Sequence, residues 1–155
     1  MISCSRVVLH GVSMGAATVL MASGEDLPGN VKAVIADCGY TSEWDEFQRE
    51  ADTLHIPWFP VLNATSVLSK IRDGYDFKQA SALAQVKKSR IPTLFIHGSS
   101  DELVPYSMLG ELYAAAACEK EELTVEGAGH ALSSSVAPTL YWRTVEDFIA
   151  KYLDR

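Results

Sequence analysis

Apolar side chains gather in short runs separated by longer stretches in which they recur every three or four positions. Val7-Val8-Leu9, Val31-Lys32-Ala33-Val34-Ile35-Ala36 and Pro92-Thr93-Leu94-Phe95-Ile96-His97 are mostly apolar on consecutive positions, with many β-branched residues. That pattern predicts strands covered on both faces, over residues 6–10, 31–36 and 92–97. Glu122-Leu123-Thr124-Val125 predicts a short fourth strand. Helical spacing follows each run. It predicts helices over 13–23, 42–54, 61–71, 81–87 and 106–117, and a last one that begins at Pro138.

In the first helix Ala16, Ala17, Leu20 and Met21 are the packing positions, and in the last Tyr141, Val145, Phe148, Ile149 and Tyr152 form one stripe. Ser42 is placed to cap the second helix, with Glu43, Asp45 and Glu46 in its first turn. Alternating strands and helices predict an α/β fold: a mostly parallel sheet of about four strands with helices on both faces. The stretch from Asp37 to Ile91 is far longer than the dozen or so residues of a plain crossover. It predicts a small helical cap inserted over residues 40–88 of a single domain spanning 1–155. His55-Ile56-Pro57-Trp58-Phe59-Pro60 breaks the cap's helices and leaves Trp58 and Phe59 in the turn between them.

Composition narrows the partners. The 155 residues are 48% hydrophobic and 21% charged, with a net charge of −7. An acidic domain is a poor match for nucleic acid or an anionic membrane surface. No stretch is long and apolar enough to span a bilayer. The N-terminal apolar run is interrupted by His10, Gly11, Ser13 and Gly15, unlike a signal peptide. Cys4, Cys38 and Cys118 are odd in number and share no motif spacing. They read as free thiols of a reducing cytoplasm, two of them buried.

The candidate chemistry starts at Gly11-Val12-Ser13-Met14-Gly15, where the first strand meets the first helix. A sharp turn there holds Ser13 in a strained conformation. Gly11 and Gly15 give room, and the Met14 N–H lies at a helix N-terminus suited to negative charge. A serine hydroxyl needs a neighbouring base, and an imidazole base needs a carboxylate to fix its tautomer. Ser13, Asp101 and His130 all follow strand ends, on the edge where ligands bind in parallel sheets. Other positions are weaker. Asp37 also follows a strand and is an alternative acid, or a carboxylate that caps the start of the inserted segment. His10 and His97 read as structural, and His55 lies in the cap. No cluster has metal-ligand spacing and no phosphate-binding loop is present, so neither metal nor cofactor is expected.

Gly-x-Ser-x-Gly, the stretch Leu94-Phe95-Ile96-His97-Gly98-Ser99-Ser100-Asp101-Glu102-Leu103-Val104-Pro105, and Gly127-Ala128-Gly129-His130 together resemble the α/β-hydrolase superfamily. The order Ser, Asp, His is that of the superfamily. The likeness covers nearly the whole chain and is nearest to bacterial esterases and serine-aminopeptidase-like hydrolases. It implies Ser13 as nucleophile, His130 as base, Asp101 as acid and Met14 N–H as oxyanion donor. Trp58, Phe59 and Val104 are candidate pocket walls around a small acyl substrate, or else ordinary core residues. In the superfamily about four strands and two helices precede the elbow, and here only Met1 to Ser5 precede the first strand, so the chain resembles the C-terminal half of such a fold. Two readings follow: a serine hydrolase of esters, amides or thioesters, or a catalytically weak half-domain that associates. The strand Arg6-Val7-Val8-Leu9-His10 would then be an open edge, and it predicts a homodimer through that edge or the adjacent apolar face.

Overall fold

The computed structural model describes residues 5–153. Four strands, β1 (Val7–Val12), β2 (Val31–Asp37), β3 (Thr93–Gly98) and β4 (Lys120–Val125), form one parallel sheet in the order β1-β2-β3-β4. The apolar runs are consecutive because each face of the sheet has its own core. Val34, Ala36 and Phe95 point to one face, and Ala33, Ile35, Leu94 and Ile96 to the other. The first face packs on α1 (Met14–Ser23), α4 (Ala82–Val86) and α5 (Ser107–Ala115) through Ala16, Leu20, Ala82, Val86, Leu109 and Leu112. The second packs on α7 (Pro138–Leu153) through Tyr141, Val145, Phe148 and Tyr152.

Between β2 and β3 the chain makes an excursion of two helices, α2 (Glu43–Thr53) and α3 (Trp58–Asp73). Ser42 caps α2, its Oγ accepting the Asp45 N–H at 3.1 Å. The excursion leaves and returns at one point, where Ser42 and Ser81 form an antiparallel bridge and the Glu43 N–H donates to the Ala80 carbonyl. Beyond that neck α4 rejoins the layer that covers the sheet, with Ala82 and Val86 in its core.

One expectation changes here. Trp58 and Phe59 are not in a turn but open α3, with Pro57 as its cap residue. Proline is tolerated in a first helical turn, where N–H groups lack intrahelical partners, so Pro57 and Pro60 start this helix rather than break it. The spaced apolar residues Val61, Leu68 and Ile71 are exposed, and the buried side chains of α3 are Leu62 and Ser66. A short helix, α6 (Ser133–Val136), also precedes α7. Cys38 is buried and Cys118 half-buried, while Cys4 lies outside the described residues.

Candidate active site

Ser13 sits between β1 and α1 with φ 56° and ψ −119°, a left-handed conformation that costs a non-glycine residue about 1–3 kcal/mol. Backbone bonds hold it there. The Ser13 N–H donates to the Asp37 carbonyl at 2.8 Å, and the Ala17 N–H to the Ser13 carbonyl at 3.1 Å. Gly11 is essential to this turn, since a Cβ on it would lie 2.1 Å from the Gly15 carbonyl oxygen. The same is not true of Gly15, whose Cβ would meet nothing within 4 Å. The crowding falls on the strand side only.

Asp101 and His130 come to Ser13 from the ends of β3 and β4. Ser13 Oγ lies 2.7 Å from His130 Nε2, and His130 Nδ1 lies 2.8 Å from Asp101 Oδ2. The Asp101 side chain is buried, and its Oδ1 accepts the backbone N–H groups of Leu103 and Val104 at 3.0 and 2.9 Å. Those bonds fix the carboxylate, and a fixed carboxylate leaves one sensible tautomer for His130: Nδ1 protonated, Nε2 free to accept the serine proton. The Met14 N–H lies in the first turn of α1, beside Ser13.

A match to the model described as the prolyl oligopeptidase family extends over residues 1–155. The chain belongs to the prolyl oligopeptidase family, within the α/β-hydrolase superfamily. Among its relatives, it is 32% identical over 144 residues to the uncharacterized protein YqkD of Bacillus subtilis, covering 91% of this chain and 47% of that protein. It is 30% identical over 158 residues to the α/β hydrolase domain-containing protein WAV2 of Arabidopsis thaliana, covering 97% of this chain and 49% of WAV2. The chain thus spans about half the length of these relatives. The fold is similar to that of an acylaminoacyl peptidase from Pyrococcus horikoshii, with TM-score 0.73, 17% identity, and coverage of 99% of this chain and 25% of that one. An esterase of Pyrococcus furiosus gives TM-score 0.71 at 19% identity, over 96% of this chain and 55% of the other.

Within this family fold the remaining candidates take distinct places. Val104 is buried against Ala17, Tyr40 and Met108, so it supports the loop after β3 that carries Asp101 (the acid loop) and is not an open pocket wall. Trp58 lines a cavity of about 300 Å³ between α2 and α3, walled also by Phe47, Leu54, Ile56, Val61 and Phe77. None of the three loop residues above is in that lining. Phe59 projects outward and is 70% exposed. His55 lies beside it, at the α2–α3 turn.

Asp37 does not cap the start of the excursion. Its carboxylate is buried and accepts the Ser133 hydroxyl at 3.0 Å, with Tyr141 as a second donor. Burial raises its pKa above the usual carboxylate range, and the Ser133 and Tyr141 hydrogen bonds oppose the rise. His10 Nε2 meets the Tyr141 hydroxyl at 3.0 Å, which continues this network to β1. His97 is buried under the acid loop. Its Nε2 lies 3.0 Å from the Val104 carbonyl oxygen and 3.3 Å from Asp101 Oδ2.

Sequence reasoning gave no role to Cys38 or Gly98. Cys38 is fully buried with φ 48°, and its sulfur lies within 4.8 Å of ligand atoms of both Asp101 and His130. Burial pushes its thiol up to about 12, with the Asp37 charge adding to the rise, so it is protonated at neutral pH. Gly98 ends β3 where the loop after β4 that carries His130 (the histidine loop) crosses it at Ala128. Its place in His97-Gly98, next to the acid loop, was the available signal.

Proposed function

We propose that this chain is a serine hydrolase unit that cleaves small esters, amides or thioesters through an acyl-enzyme. The observation that carries this reading is the continuous chain from Ser13 Oγ through His130 to Asp101, with contacts of 2.7 and 2.8 Å. Esterase and peptidase chemistry are both acyl transfer to water, so the named relatives support the same reaction class.

In this reading His130 Nε2 takes the Ser13 proton as Oγ attacks the substrate carbonyl. Asp101 stabilises the imidazolium that forms and keeps the ring oriented. The Met14 N–H faces the developing oxyanion, aided by the dipole of α1. His130 then protonates the leaving group, and water attacks the acyl-Ser13 ester by the reverse relay. The test is labelling by a fluorophosphonate probe. Stoichiometric modification that disappears in Ser13→Ala supports the reading, and an unlabelled, folded wild-type chain overturns it.

A second reading rests on the open side of β1, which pairs only with β2 among the described residues. In it the chain hydrolyses weakly and its main property is self-association through that edge. Absent labelling together with a stable dimer favours this alternative.

A further inference from the structure

We propose that Cys38, Asp101 and His130 form a site for one thiophilic divalent cation, Zn²⁺ or Cd²⁺, and that filling the site switches the triad off. The inhibitory part rests on the hydrolase reading above, whereas the binding part does not.

The fold brings together three residues that are scattered along the sequence. Each offers one ligand atom, and the three atoms lie within 4.8 Å of one another. A sulfur, an imidazole nitrogen and a carboxylate oxygen are the donor types zinc takes. Ligand atoms around one tetrahedral ion stand about 3.5 Å apart, so small side-chain movements close the set. Charge also balances. A thiolate and a carboxylate neutralise a divalent ion, and a neutral assembly is what a buried site tolerates. Cys38 and the Asp101 carboxylate are enclosed, while the His130 side chain is 19% exposed, so the ion has a way in past the imidazole.

The consequence for the triad follows from the imidazole. In the hydrogen-bonded state Nδ1 carries the proton toward Asp101, and Nε2 accepts from Ser13. An ion between Cys38 and Asp101 binds Nδ1 through its lone pair. The ring proton then resides on Nε2, where it blocks acceptance of the serine proton. The Cys38 S–H bond breaks, a metal–sulfur bond forms, and one proton leaves to solvent. No electron changes hands.

Cd²⁺ is the probe, because a cadmium–thiolate bond absorbs in the ultraviolet and can be followed without turnover. The full chain carrying Cys4→Ser and Cys118→Ser keeps Cys38 as its one thiol. Titration should give a band that saturates at one equivalent and reverses with EDTA. Adding Cys38→Ser should abolish the band, and His130→Ala should weaken binding about tenfold or more. If the serine background fails to fold, the difference spectrum between wild type and Cys38→Ser gives the same test. A folded Cys38 protein with no band, or a band of unchanged affinity in His130→Ala, overturns the site. So does inhibition by Cd²⁺ that survives in Cys38→Ser. A band without any hydrolysis in the metal-free chain would count against the hydrolase reading alone. Activity without a band would count against the metal site alone.

Discussion

Gly98 lies directly beneath Ala128: a Cβ at Gly98 would stand 2.2 Å from the Ala128 carbonyl oxygen. That carbonyl also accepts the Ser100 N–H at 3.0 Å, so the acid loop and the histidine loop are pressed together at one glycine. Gly98→Ala must push the loops apart or distort β3. We expect a stability loss of about 1–3 kcal/mol, and a drop in kcat of about 100-fold if Asp101 and His130 separate by about 1 Å. Gly15→Ala is the contrast, because open space surrounds its Cβ position and alanine favours helix by about 0.5–1 kcal/mol. Thermal melts of the two variants should move in opposite directions.

Ser13, the proposed nucleophile, also carries backbone strain. Ser13→Ala should lower ester hydrolysis about 10⁴-fold or more while the fold is kept. Ser13→Gly should be equally inactive yet melt at a higher temperature, because glycine adopts φ 56° without steric cost. A lower melting temperature for Ser13→Gly would mean that the strain is not present in solution.

Asp101→Asn tests the tautomer. The amide oxygen can still accept the Leu103 and Val104 N–H groups, which puts the NH₂ where Oδ2 now faces His130. His130 Nδ1 must then accept, and its proton moves to Nε2. A fall in kcat of about 10⁴-fold with a near-normal fold is expected. The measurement is single-turnover acylation beside circular dichroism.

The three catalytic candidates are those the sequence motifs point to, because each motif is local: a turn type, a strand end, a histidine after glycines. The strands were legible for the same reason, since a run such as Leu94-Phe95-Ile96 serves two cores at once. What depends on a distant neighbour was not legible. Nothing near Cys38 in sequence announces Asp101 or His130. The spacing of Val61, Leu68 and Ile71 is helical, but spacing alone does not say whether anything covers them. Pro57 and Pro60 look like breakers until their place in a first turn is known.

Asp37 predicts a pH effect. Its carboxyl sits above the usual range in the folded state, so the folded chain holds its proton where the unfolded chain, with a value of about 3.9, has released it. Its contribution is therefore full below the unfolded value and lost as pH rises through the folded one. Asp37→Asn removes that loss. Its melting temperature relative to wild type should climb from pH 4 toward neutrality, and a constant difference would exclude the effect.

The two sheet edges differ in a way that bears on assembly. β4 begins Lys120-Glu121-Glu122, charges that guard an edge, whereas β1 offers Val7-Val8-Leu9. We expect two copies of this chain to pair along β1 as a homodimer at micromolar concentration. Sedimentation should show the dimer in wild type and its loss in Val8→Lys. A wild-type monomer rules it out.

The neck at Ser42 and Ser81 makes residues 43–80 an exchangeable cassette. Because the two ends already touch, replacing everything between them with a short linker closes a small loop and leaves every strand connection intact. Exchanging or deleting this excursion should therefore cost the sheet little, so any selectivity the cassette confers can be transplanted without rebuilding the strands that lead to Ser13, Asp101 and His130.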